Sequence, residues 1–167
     1  MRKQTISQIK GYIFNIMLSK WTYLFVRVAL AILFIYAGTL KLTDPKAFAR
    51  IISQYDILPE PLLPAVAVGL PIAEVFAGIA LIFDLRSGLH SVSGMILLFV
   101  FVLGYGVLTE MDVDCGCFGP AELEGHRGLV NAFYRDLALL GVVVFLYWSR
   151  LTRNRRFLDL STQNIPK

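Results

Sequence analysis

Two cysteines are the only thiols in the chain, and a single residue separates them, in Asp112-Val113-Asp114-Cys115-Gly116-Cys117-Phe118-Gly119-Pro120. A disulfide stabilises by restricting the unfolded chain, and the gain grows with the loop it closes. Here the loop is as short as it could usefully be, so a bond would stabilise little and its ring would be strained. Strained, exposed disulfides have higher reduction potentials and are the labile, catalytic ones. Gly116 supplies the backbone freedom that such a ring needs. The pair therefore reads first as a two-electron switch, with Cys115 and Cys117 as its catalytic residues. Two other readings stand beside it: a structural bond, and a metal site completed by His126, Asp112 and Asp114. Cys, His and carboxylate ligands suit zinc or copper, but structural zinc sites space their paired cysteines more widely, and no metal is assigned. Glu110, Asp112 and Asp114 disfavour a thiolate at rest, and Arg127 or Arg135 would offset them by folding back.

The elements that must position these residues follow from composition. Of 167 residues, 56% are apolar and 17% charged; an ordinary soluble domain carries about 25% charged residues. The mean hydropathy is +0.64. These values argue against a soluble enzyme and a disordered regulator, and two cysteines exclude a disulfide-dense scaffold. A bilayer core takes about 20 apolar residues of helix. Four stretches qualify: Thr22 to Leu42, Leu63 to Phe83, Leu89 to Thr109 and Val130 to Ser149. Backbone groups in lipid must be bonded internally, and without strict apolar alternation the spans are helices, not barrel strands. The fold expected is all-α: a polytopic bundle of four transmembrane helices over residues 22–149. Residues 1–21 form a basic amphipathic tail, with Ile6, Ile9, Ile13 and Ile16 in a stripe, and residues 150–167 a basic C-terminal tail. The first apolar stretch lacks a convincing small-x-small cleavage site, so it reads as an uncleaved helix and not a signal peptide.

Charge distribution orients the bundle. Arg2, Lys3, Lys10, Lys20, Arg86, Arg150, Arg153, Arg155, Arg156 and Lys167 fall on one side, against Lys41, Lys46, Arg50 and Arg127 on the other. The positive-inside rule puts both termini in the cytoplasm of a bacterial inner membrane and the Cys-Gly-Cys loop in the periplasm, where disulfides persist. The basic ends are topology and lipid anchors, not a nucleic-acid site. Thr43-Asp44-Pro45 is a helix start, and Phe48, Ile51, Ile52 and Tyr55 recur at helical spacing up to Leu58-Pro59. This predicts a short amphipathic helix on the outer membrane face between the first two spans.

Ionisable residues inside spans are functional candidates by default. Arg27 lies close enough to the inner end to snorkel. Glu74 is deepest, beside a small-residue ridge of Gly69, Ala73 and Ala77 that would pack closely on a neighbour. It is protonated, or paired with Arg135 or Lys41 from the outer side. Arg135 and Asp136 are adjacent, so they should point to different partners. Tyr36, Tyr105 and Tyr134 read as interface anchors.

The motifs Phe34-x-x-Ala37-Gly38-x-x-Lys41-Leu42-x-Asp44-Pro45-x-x-Phe48, Tyr55-x-x-Leu58-Pro59, Leu70-Pro71-x-x-Glu74-x-x-x-Gly78, Asp114-Cys115-Gly116-Cys117-Phe118-Gly119 and Arg135-Asp136 run through residues 22–150. Together they resemble the MauE/DoxX-type redox-associated membrane proteins, and within them the methylamine-utilisation MauE branch. Cys-Gly-Cys-Phe-Gly is the most specific element, and Ala-Gly-x-x-Lys-Leu is common to the wider DoxX group. The resemblance implies a four-helix bundle that supports disulfide formation in a periplasmic protein (in relatives, the small subunit of methylamine dehydrogenase). It implies a thioredoxin-like periplasmic protein or a quinone as redox partner, and Lys41, Glu74, Arg135 and Asp136 as supporting polar positions. Membrane relays with two cysteine pairs pass electrons internally. One pair must borrow the second from a partner or deliver electrons to a cofactor. The alternatives are a DoxX-like quinone-linked oxidoreductase subunit, a non-catalytic docking subunit and a metal handler.

Overall fold

The computed structural model describes the backbone over residues 20–110 and 126–163, and side chains over 20–110 and 127–152. Five α-helices lie within these residues: α1 Lys20–Thr43, α2 Pro45–Gln54, α3 Leu63–Ile82, α4 Arg86–Leu108 and α5 His126–Gln163. A 3-10 turn, Glu60–Leu62, leads into α3. The described residues contain no strand. Four helices are long and apolar enough to cross a bilayer: Lys20–Thr43, Glu60–Ile82, Arg86–Leu108 and Arg127–Thr152. They coincide with the four spans expected. The fourth helix runs further, because nothing in residues 150–163 breaks it: Arg150, Arg153, Arg155 and Arg156 are good helix formers.

Lipid supplies no hydrophobic drive between helices, so they associate by close packing. The closest approach is between α1 and α3. A Cβ added at Gly38 would lie 2.8 Å from the Pro71 carbonyl oxygen, and one at Gly78 would lie 2.9 Å from that of Ala31. These glycines let the two backbones touch and set an antiparallel register that brings Lys41 level with the turn before Glu74. The face of α3 buried by this contact is Ala67, Pro71, Glu74, Ala77, Gly78 and Leu81. The Gly69-Ala73 ridge does not pack as the sequence led one to expect. Both residues are exposed, and a Cβ at Gly69 would meet nothing within 4 Å. Glu74 explains the difference, since turning it inward rotates Gly69 and Ala73 towards lipid. Phe25, Phe76, Phe101 and Leu108 also face outward.

The short helix α2 forms where its start signal lies. Asp44 accepts a hydrogen bond from the Ala47 amide at 2.9 Å, and Pro45 opens the helix. It ends at Gln54, earlier than Leu58-Pro59, because Asp56 turns the chain with φ 50°. Tyr55, at its C-cap, is buried in a cluster with Leu103, Leu129 and Ala132. Its ring lies 3.0 Å from where a Gly106 Cβ would be, so α2 is pinned onto α4 and α5.

At the opposite end, Arg27 does not extend into solvent. Its guanidinium meets Asp84 Oδ1 at 2.9 Å and donates to the Ile82 carbonyl at 3.2 Å. The Tyr23 hydroxyl donates to the same carboxylate at 3.0 Å, and Arg150 reaches the Asp84 carbonyl at 3.5 Å. The α3–α4 turn is thus tied to α1 and α5. Burial pushes the Asp84 carboxyl up, but the Tyr23 hydroxyl, Arg27 and Arg150 outweigh burial and hold it below the ordinary carboxylate value. A carboxyl depressed in the folded state contributes stability above its unfolded value and loses it as pH falls through the folded one. Unfolding in detergent should therefore steepen below the ordinary carboxylate range. Asp84→Asn should flatten that slope, at a pairing cost of about 1 kcal/mol or less because the carboxylate is partly exposed. An unchanged acid profile in the variant would disprove this.

Candidate functional site

Apart from Arg27, the buried charges of the spans gather in the half of the bundle next to α2. Lys41, near the end of α1, is 6% exposed, and Glu74, near the middle of α3, is 1% exposed. Lys41 Nζ donates to Glu74 Oε1 at 2.5 Å. Of the pairings open to Glu74, the structure takes the one with Lys41. The reason is the register above: with Gly38 against Pro71 and Glu74, a lysine one turn further along α1 reaches the carboxylate. The ammonium also lies 4.7 Å from the Phe99 ring centroid and 5.3 Å from that of Phe48, so cation–π contact shields its remaining faces.

Arg135 and Asp136 stand about 15 Å along α5 from its start. Adjacent residues on a helix share no face, yet these two also meet each other. Arg135 Nε donates to Asp136 Oδ1 at 3.3 Å, because the long arginine stem folds back towards the buried neighbour. Asp136 is 3% exposed. All four charges line one small cavity of about 30 Å³, closed by Phe34, Ile96, Phe99 and Leu139. Two cations and two anions make the cluster neutral as a whole, which limits the cost of burying it in lipid. Among the described residues Glu74 Oε2 has no hydrogen-bond partner, and the cavity beside it has room for a water molecule.

The four supporting positions singled out in the sequence are thus neighbours in space. Cys115 and Cys117 lie outside the described residues, as do Asp112 and Asp114 and the isoleucine stripe of the N-terminal tail; the His126 side chain is likewise not described. Among the described residues, no three His, Cys, Asp or Glu side chains group as metal ligands. Sequence reasoning missed Asp84 as the partner of Arg27, although it is the single acid in a three-residue turn between two spans. It also missed Phe48 and Phe99 as partners of Lys41. Phe48 lies at an amphipathic position that signals burial, whereas Phe99 sits in an unbroken apolar run with no distinguishing signal. Tyr36, Tyr105 and Tyr134 are exposed on the outside of their helices.

A family model described as "Methylamine utilisation protein MauE" matches residues 19–149. The chain is 31% identical over 96 residues to the methylamine utilization protein MauE of Paracoccus denitrificans, a match covering 56% of this chain and 52% of that protein. The chain therefore spans about half the length of that curated relative. No solved structure matches it.

Proposed function

The chain belongs to the MauE family of methylamine utilisation proteins, and from that premise we propose that it is a membrane thiol–disulfide redox protein supporting disulfide formation in a periplasmic protein. Cys115 and Cys117 are the reacting pair. Lys41, Glu74, Arg135 and Asp136 support them from within the bundle. The observation that supports this reading is the extent of the family match. The family match takes in all four spans and the Cys-Gly-Cys segment. In sequence that segment falls between the helices Arg86–Leu108 and His126–Gln163.

Forming one disulfide from two thiols releases two electrons and two protons. With one cysteine pair in the chain, these pass to the disulfide of a thioredoxin-like periplasmic partner by exchange, or to a membrane quinone. The basic residues of both termini place them in the cytoplasm of a bacterial inner membrane, with the Cys-Gly-Cys loop in the periplasm. Intact cells treated with a membrane-impermeant maleimide test both points. Labelling of Cys115 and Cys117 is expected only after a reductant is added. Labelling without reductant would overturn the disulfide resting state, and labelling only after lysis would overturn the orientation.

A further inference from the structure

At the end of the bundle where α1 begins, a groove of about 300 Å³ runs between that helix and the α3–α4 turn. Lys20, Trp21, Tyr23, Leu24, Arg27 and Asp84 line it. We propose that this groove binds the headgroup of one anionic phospholipid, whose phosphodiester is held by Lys20 and Arg27. The inference does not depend on the thiol chemistry.

The two cations reach the same depth by different routes. Lys20, Leu24 and Arg27 follow one another at helical spacing and share a face of α1. Arg27 starts about 10 Å further along the axis, but its stem runs back and its guanidinium meets Asp84 in the turn. Arg27 is 9% exposed, and among the described residues its Nε has no hydrogen-bond partner. Asp84 and the Ile82 carbonyl engage only its Nη groups. A buried donor without an acceptor is costly, and a planar guanidinium suits phosphate oxygens. A small turn of the guanidinium presents Nε to an oxygen in the groove. Lys20 is exposed and adds a second charged donor.

Charge selects the headgroup. Lys20 and Arg27 against Asp84 leave the lining with one net positive charge, which a single phosphodiester balances. Arg150 donates to the Asp84 carbonyl at 3.5 Å and brings another cation to the rim. The ammonium of phosphatidylethanolamine would enter among these cations, and the Asp84 carboxylate is already taken by Arg27 and the Tyr23 hydroxyl. Size and polarity select a lipid over a free phosphate. The groove is many times the 10–15 Å³ or so that one water needs, so it admits a phosphodiester with its glycerol units. Trp21 and Leu24 belong to the lining and are 72% and 40% exposed, an apolar border along which acyl chains leave. Basic termini draw anionic lipid to a membrane face in general; this groove differs in offering fixed donors to one molecule.

Lipid counting tests the site. Full-length protein in mild detergent is titrated with phosphatidylglycerol, and native mass spectrometry reads the number retained. One molecule should bind ahead of the rest, and neither phosphatidylethanolamine nor glycerol phosphate should displace it. Lys20→Gln removes a cation, and Leu24→Trp narrows the groove. Arg27→Lys keeps the charge beside Asp84 but loses Nε. Each should weaken binding about tenfold, with helical content unchanged. Arg86→Gln removes a like charge from an exposed position outside the lining, and should change affinity by about twofold or less. An equal loss in Arg86→Gln would mean surface attraction only and overturn the proposal. Unchanged affinity in both Lys20→Gln and Leu24→Trp would overturn it too. Displacement by glycerol phosphate would reassign the groove to a soluble anion, and displacement by phosphatidylethanolamine to a zwitterionic lipid.

Discussion

Cells carrying Cys115→Ser or Cys117→Ser are expected to lose disulfide formation in the periplasmic substrate protein down to the level of a deletion, while the membrane protein remains as abundant as before. The two halves of this expectation have different causes. A disulfide needs both sulfurs, so either change removes the exchange reaction entirely. Abundance should hold because a ring closed over one intervening residue restricts the unfolded chain very little. The bundle is held instead by the α1–α3 contact at Gly38 and Gly78 and by a core that includes Tyr23, Leu30, Leu81, Ile96 and Leu146. Trapping sharpens the test. With one cysteine left, a mixed disulfide to the partner should accumulate under non-reducing electrophoresis. Full substrate oxidation in the double variant would remove the thiol reading and leave a docking role.

The second large effect is expected at the buried pair. Lys41→Met alone strands the Glu74 carboxylate, which is 1% exposed, and removal of one partner of a buried pair costs about 3–5 kcal/mol. Glu74→Gln alone strands the ammonium and should cost less, because an amide oxygen still accepts a hydrogen bond from Lys41. Changing both together should recover most of the stability, since a neutral replacement of a buried pair is often tolerated. Unfolding in mixed micelles of mild detergent and dodecyl sulfate measures all three. Additive losses in the double variant would mean that the two residues are not coupled, contrary to their direct hydrogen bond.

The spans and α2 were legible because their signals are local. Long apolar blocks report the bilayer, and Asp44-Pro45 followed by Phe48, Ile51 and Tyr55 reports a capped amphipathic helix. The neighbourhood of Lys41 was only half legible. Glu74 was left either protonated or paired with Arg135 or Lys41, and choosing among these needed the relative register of two helices. That register is set by which glycines admit a backbone, a property of the pair and not of either helix. Gly69, Ala73 and Ala77 show the limit most plainly. As a pattern they match a packing ridge, yet Gly38 and Gly78 make the contact and leave Gly69 and Ala73 facing outward.

The sequence by itself determined the membrane class, the four spans, the capped helix between the first two and the presence of one closely spaced thiol pair. Composition, period and spacing act within a few turns of chain. Tertiary structure alone decided that Arg27 is held by Asp84 and Tyr23, that Arg135 turns back on Asp136, and that four charges distant in sequence share one cavity. In lipid there is no water to receive a buried charge, so each must find its partner on another helix or beside it. Which partner it finds depends on how closely the helices pack.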